Sequence, residues 1–452
     1  MPNMSPLMKE SLEYLCQEYQ KYNYISPDDW TKYDVKRGLR NANGTGVLAG
    51  LTSICDVVGY DLVDGQRVPV DGKLIYRGID VNEIVTASKS DDRYTYEEVA
   101  WLLLFGSLPT EEQISMFSSV LATLSPLPEG FAEDMLMKSP SNNIMNAMAR
   151  AVLALYAYDE KAEDQSLENT LFQAMNIIAC APTIMAGAYQ VKRRAYDKKS
   201  MYMHQPKDNL SIAQNILRIN RSNKQFSEEE ASLLDLCLVL HADHGGGNNS
   251  AFSTRVVTSS ATDTYGAIAA ALSSLKGPRH GGANIKVMEM LDEMKECVKD
   301  FNDDEEISAF LVDVLEKRRG DGLGLIYGIG HAVYIKSDPR AIILRESAKN
   351  LAHENNLDDD YNLLCAVERI APQLMAERKG VSVCANVDLF SGLVFRIMDI
   401  PTDLYTPLFA VSRMSGWFAH LVEERLFGNR IIRPAYKYIG ESREYTPLKD
   451  RK

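Results

Sequence analysis

Apolar residues recur along most of this chain at intervals of three and four, the spacing that gathers them on one face of an α-helix. Ser5-Pro6 is read as a helix start, followed by Leu12, Leu15 and Tyr19 on one side. Thr110-Glu111-Glu112-Gln113 fits a capping box leading into Ile114, Met116 and Phe117. The run from Asp263 to Leu275, rich in alanine and leucine, predicts another helix that stops at Gly277-Pro278. A further start is expected at Asn302-Asp303-Asp304-Glu305-Glu306, with Asn302 as cap and the carboxylates complementing the helix dipole. One stretch departs from this pattern. Between Gly44 and Gly78, short apolar segments alternate with Asp64-Gly65 and Asp71-Gly72, read as the turns of a small β-hairpin. The expected fold class is all-α with a minor β element near the N-terminus.

Length changes the picture first: 452 residues exceed the usual size of one hydrophobic core, so two domains are expected. No low-complexity linker or internal repeat separates them, and Gly277-Pro278 is a plausible crossing. Lys192 to Asp208 reads as a solvated loop or helix end. A net charge of −13 argues against nucleic acid or an anionic membrane as partner, but not against a small anion held by local arginines. The seven cysteines contain no CxxC pair, which favours a reducing compartment over a disulfide framework or thiolate zinc site. The first residues lack an apolar signal core, and no uninterrupted apolar run approaches the roughly 18 residues of a membrane span. A cytoplasmic location is expected.

The candidate chemistry lies in the second half. Four of the seven histidines, His241, His244, His280 and His331, fall within residues 241–331, and three of them adjoin glycine. Histidine exchanges protons near neutral pH, and glycine lets a ligand approach the backbone closely. His241 and His244 are three apart, which on a helix would give the single face a metal needs, but no third ligand or HExxH accompanies them. His241 is as well read as a packed structural histidine, with His244 facing a cavity beside Gly245-Gly246-Gly247. A helix is predicted just after His280, whose dipole would lower its pKa and favour neutral imidazole; the alternative is a surface cap. Gly328-Ile329-Gly330-His331 lacks the strand-turn-helix context of a dinucleotide site, so its interest is the nearby Lys336 and Arg340. Pro339 fixes the chain ahead of Arg340, which can then grip a carboxylate with both arms; a solvated surface turn is the plainer reading. Asp388, between Val387 and Leu389-Phe390, is either a partly desolvated base or a cap residue. Arg413 lies in the apolar stretch Leu404 to Leu426 and therefore needs an anionic partner, from the protein or from a substrate.

Taken in order, these segments resemble the citrate synthase family. The matching motifs are HADHxxxN at His241 to Asn248, GPxHGGAN from Gly277, GxGHAV from Gly328 and DPR at Asp338 to Arg340. NVDxxSG from Asn386, Ser412-Arg413 and Arg433-Pro434 complete the series, and segments ending at Arg40 and at Arg77-Gly78 are also similar. The resemblance spans nearly the whole chain. It implies a two-domain helical fold, with 1–279 and 396–452 in a large domain and 280–395 in a small one. It also implies that acetyl-CoA condenses with oxaloacetate to citryl-CoA, which is hydrolysed to citrate and CoA, with no cofactor held permanently and no metal.

Residue by residue, the resemblance has Asp388 taking the acyl α-proton, His280 stabilising the enol or enolate and His331 polarising the ketone. His244, Asn248, Arg340 and Arg413 would bind oxaloacetate, joined by Arg433 from the neighbouring subunit of a homodimer. Arg40, Ile326, Gly328, Gly330, Ala332 and Lys336 would meet CoA. Two positions depart from the common pattern: Gly245 stands where many members carry Glu, and Ala332 matches one branch where another has Arg. The chemistry is consistent, because a dicarboxylate explains several arginines in an acidic chain and a reactive thioester calls for domain closure. Three rivals remain. A 2-methylcitrate synthase would use propionyl-CoA, a one-methylene difference worth only about 1–3 kcal/mol. A noncatalytic CoA or dicarboxylate sensor would lack part of the catalytic set, and a metal-dependent hydrolase built on His241 and His244 would lose activity to chelators.

Overall fold

The helical periodicity folds as helix almost throughout, in a computed structural model that describes residues 5–428 and 430–451. The chain forms two units, one of 1–49, 64–67 and 433–452, the other of 50–63 and 68–432. In the first, Ser5 caps the helix Pro6–Tyr22 by accepting the Met8 N–H at 3.3 Å. Its C-terminal stretch has no regular element until the short turn Leu448–Asp450.

The second unit carries the candidate chemistry. Its sheet orders β1 (Cys55–Val63), β2 (Gln66–Tyr76) and β3 (Ile79–Asp80) consecutively, with Tyr76 opposite Ile79 across the antiparallel β2–β3 pair. Asp64 and Gly65 turn the hairpin with φ of 51° and 75°, the left-handed pair a two-residue hairpin turn requires. Asp71-Gly72 is not a turn but lies inside β2. Glycine serves a different purpose there, since a Cβ at Gly72 would collide with the Ser337 carbonyl, and the Gly72 N–H donates to Ser337 Oγ at 3.0 Å. Gly59 on β1 plays the same part, where a Cβ would come within 2.5 Å of the Val333 carbonyl. The hairpin is thus a bed on which the segment following His331 lies.

The helices confirm most of the sequence signals. Both halves of the Thr110–Gln113 capping box form, and Asp263 caps the helix Thr264–Leu275. The cap predicted at Asn302 is instead Asp303, whose carboxylate accepts the N–H groups of Glu305 and Glu306 at 2.9 and 3.3 Å. Lys192 is also less solvated than expected, because it pairs with Asp197 and Asp403. By length and composition, Leu167–Ala195 is the one described helix able to cross a membrane; 72% of its most apolar window is buried inside the protein. The helix Tyr405–Phe427 is buried from Tyr405 to Val422 and packs on the helices Leu167–Ala195, Glu228–His241 and Asn249–Thr258. It forms the floor beneath the histidines.

Candidate active site

His241 ends the helix Glu228–His241, and His244 lies beyond it in irregular chain, so the two imidazoles do not share a helical face. Among the described residues no group of three His, Cys, Asp or Glu is placed to hold a metal ion. His241 is a packed residue: its Nδ1–H donates to the Cys237 carbonyl at 2.7 Å and its ring meets Phe409 edge-on at 4.6 Å. Burial, with Arg340 and Arg413 nearby, pulls its pKa down to about 3. His244 instead turns toward His331, the ring centroids 4.9 Å apart and nearly perpendicular. Burial and the Arg340 charge hold it well below the usual histidine range, so it is neutral. Its buried Nε2 has no hydrogen-bond partner among the described residues.

His331 stacks on Tyr334, and its Nδ1 accepts the backbone N–H groups of Val333 and Tyr334 at 3.1 and 3.0 Å. Those two donors fix the tautomer, leaving the proton of a neutral ring on Nε2. The loop bearing His331 is zipped to the loop bearing Asp388. Gly330 N–H donates to the Cys384 carbonyl at 2.7 Å, Asn386 N–H to the Gly328 carbonyl at 2.8 Å, and Asn386 Nδ2 to the Gly330 carbonyl at 2.8 Å. Gly328, at φ 81°, is required by this arrangement because a Cβ there would lie 2.8 Å from Leu389.

Asp388 opens the helix Asp388–Ile397 and is half-buried, with Oδ1 lacking any hydrogen-bond partner among the described residues. Burial pushes its pKa up to about 7, against the opposing pull of Arg340. Arg340 is fully enclosed, and the carboxylate it grips with Nε and Nη2, at 3.0 and 2.7 Å, is Asp338. Asp338 also caps the helix Pro339–Glu354 and accepts the Val387 N–H at 3.2 Å. One carboxylate therefore ties Arg340 to the Asp388 loop.

Arg413 is wholly buried, yet it forms no ion pair among the described residues. Its Nε donates to the His241 carbonyl at 2.5 Å, its guanidinium lies 4.8 Å from the Phe409 ring centre, and both terminal nitrogens have no hydrogen-bond partner. His280 sits two residues before Gly282, the cap of the helix Ala283–Cys297. Its pKa falls to about 4, as a neutral imidazole requires, but through burial and the Arg413 charge. His280 Nε2 is 3.0 Å from Ser250 Oγ, which also accepts the Trp417 Nε1–H at 3.1 Å and donates its own hydrogen to Asn248 Oδ1 at 2.9 Å. Asn248 caps the helix Asn249–Thr258.

His241, His244, Arg340 and Arg413 thus interact electrostatically, and Arg340 and Arg413 reach Asp388 as well. Ile326 is buried, whereas Ala332 and Lys336 are exposed, with Lys336 paired to Asp71 at 2.9 Å. Arg40 and Arg433 belong to the other unit, Arg40 hydrogen-bonding within its own loop and Arg433 exposed. The sequence reading did not find Phe409, Ser250, Trp417, Tyr334 or the pairing of Asp338. The nearest signal was the spacing of Phe409, Arg413 and Trp417, four residues apart on one buried helix face.

A family model described as "Citrate synthase, C-terminal domain" matches residues 41–435. A citrate synthase of Synechocystis sp. is 33% identical over 89% of this chain and 93% of its own length. A 2-methylcitrate synthase of Shewanella oneidensis is 32% identical over 85% and 94%. The solved ternary complex of carboxymethyl coenzyme A and oxaloacetate with citrate synthase from Thermoplasma acidophilum superposes with a TM-score of 0.76. It is 25% identical and covers 92% of this chain and 99% of that one.

Proposed function

The chain belongs to the citrate synthase family, and on that premise we propose that it condenses acetyl-CoA with oxaloacetate to citrate and CoA, using Asp388, His280 and His331. One observation carries this reading: the buried Arg413 terminal nitrogens and Asp388 Oδ1 are polar atoms with no partner in the protein as described. Buried polar atoms are nearly always satisfied, so a cation and a basic carboxylate left open within electrostatic reach of each other fit an anionic substrate and a proton to be removed.

In this proposal oxaloacetate lies against Arg413, Arg340, His244 and Asn248, with Arg433 of a second subunit completing the carboxylate contacts in a homodimer. Asp388 takes the α-proton of the acyl thioester, and at a pKa near 7 it is basic enough to do so while remaining largely ionised above neutrality. His280 stabilises the enol oxygen. Neutral His280 can donate from Nδ1 only if Ser250 turns its single hydroxyl hydrogen away from Asn248 Oδ1, 2.9 Å off, and gives it to Nε2 at 3.0 Å when substrate binds. His331 offers Nε2–H to the ketone of oxaloacetate, a direction supported by the two backbone donors on Nδ1. The enol carbon then attacks the ketone carbon, and water cleaves the resulting citryl thioester.

Residues 280–395 are proposed to close as a small domain over bound oxaloacetate before the thioester reacts, with Arg40, Ile326, Gly328, Gly330, Ala332 and Lys336 in the CoA contacts. The test measures kcat/KM for acetyl-CoA and propionyl-CoA with oxaloacetate, following release of the free thiol. Acetyl-CoA is expected to be preferred. A higher value for propionyl-CoA would replace this reading with 2-methylcitrate synthesis, the activity named for the Shewanella relative, and condensation of neither would refute both.

A further inference from the structure

Behind His244 lies a buried acid–histidine pair that no step above uses. Asp243 and His420 are both wholly buried, and His420 Nε2 lies 3.1 Å from Asp243 Oδ2. The same oxygen accepts the Gly245 N–H at 3.1 Å. Gly245 has φ 81°, and Asn248 N–H returns to its carbonyl at 3.0 Å, closing a turn immediately after His244. Gly245, Gly246 and Gly247 offer no side chain to hold that turn, so its orientation depends on anchors outside it. Burial pushes the Asp243 carboxyl up, but His420, together with the Arg413 charge and the Gly245 N–H, more than offsets this and brings its pKa down to about 2.

The packing shows that this anchor is tightly fitted. A Cβ at Gly416 would come within 2.5 Å of Asp243 Oδ1 and of the Ala242 carbonyl, so glycine lets the 405–427 helix approach. A Cβ at Gly246 would lie 3.1 Å from Arg255 Nη1 and 3.4 Å from His420 Cε1, so the turn lies beside both the guanidinium and the imidazole. On the far side, Tyr76 Oη accepts the Asp243 N–H at 3.4 Å. His420 follows Arg413 by seven residues, two helical turns along the same face, so one helix supplies both the Arg413 guanidinium and the support beneath His244.

We infer that His420 is a positioning residue for oxaloacetate: by holding Asp243 it fixes the Gly245 turn and, through it, the placement of the His244 ring. This rests on the reading of His244 as an oxaloacetate contact. Removing the imidazole leaves a buried carboxylate without its partner, which then shifts or takes up a proton, and the turn loses its acceptor.

The experiment compares wild-type enzyme, His420→Leu and His420→Gln, the last carrying an amide nitrogen near the position of Nε2. His420→Leu is expected to raise KM for oxaloacetate by about tenfold or more while leaving KM for the acyl-CoA within about twofold, as loss of one buried charged hydrogen bond implies. His420→Gln should recover most of the loss. An unchanged oxaloacetate KM, equal rises in both KM values, or no recovery in His420→Gln overturns the inference. If His420→Leu does not fold, Asp243→Asn supplies the same reading: a raised oxaloacetate KM supports the inference and an unchanged one overturns it. Failure of the wild-type enzyme to condense oxaloacetate with either acyl-CoA refutes the functional reading itself, so the two failures are distinguishable.

Discussion

Asp388 and Arg413 both sit where burial opposes their charge, and each consequence can be measured. The Asp388 pKa rises from an ordinary 3.8 to about 7 on folding. Its favourable contribution to stability is therefore complete below about pH 4 and is lost as pH rises through 7. Asp388→Asn should melt higher than wild type by a margin that opens between those limits and then stays constant, while condensation falls by about 10²–10⁴-fold and oxaloacetate affinity is nearly unchanged. Thermal melts across pH and single-substrate binding check both halves; unchanged turnover would sink the base assignment. In wild type, kcat/KM should fall about tenfold per pH unit below 7, with no second limb from His280, whose pKa is about 4. For Arg413→Met, KM for oxaloacetate should rise by about 10²-fold, yet calorimetry should find the melting temperature no lower, because an unpaired buried cation is replaced by apolar volume. At this scale the sequence was informative: apolar neighbours flagged both residues. It did not show that Arg340 grips Asp338, because only the capping turn folds that side chain back over its neighbour two residues on.

The elements matter most where two loops share backbone hydrogen bonds. The His331 loop and the Asp388 loop are more than fifty residues apart in the chain, yet Gly330, Gly328 and Asn386 bind them together. Gly328→Ala puts a methyl group against Leu389 at positive φ, so it should destabilise the protein by about 1–3 kcal/mol in urea unfolding. It should also lower kcat more than KM for oxaloacetate, since it displaces His331 relative to Asp388; a normal kcat would show that the zipper is not needed for catalysis. Glycine beside histidine was visible in the sequence, but the partner loop was not. The same limit explains Gly72, read as a turn because aspartate–glycine usually makes one, although its role is to let Ser337 pass. At Asn302 the chemistry was right and the register one residue off, since adjacent Asn and Asp both suit a cap and only backbone geometry selects Asp303.

For the whole molecule, the proposed homodimer makes the clearest prediction. Arg433 is exposed, in a stretch without regular structure, and is proposed to act in the site of a second subunit. Inactive Arg433→Ala and inactive Asp388→Asn chains, mixed under conditions that exchange subunits, should regain activity through hybrid sites. Exchange shown by mass spectrometry without recovered turnover would count against a shared site.

The sequence by itself determined the helical class and the small hairpin and nominated the candidate site residues, because periodicity and residue type are local properties of the chain. It also determined the family, because ordered motifs record a fold without describing it. The tertiary structure alone decided which groups are satisfied and which are left open. Desolvation, tautomer and ion pairing depend on neighbours brought in from distant segments. Among the described residues Arg340 has an ion-pair partner and Arg413 has none; His241 is packed while His244 faces His331. Those differences arise from contacts such as His420 with Asp243, 177 residues apart, and no local pattern encodes a separation of that length.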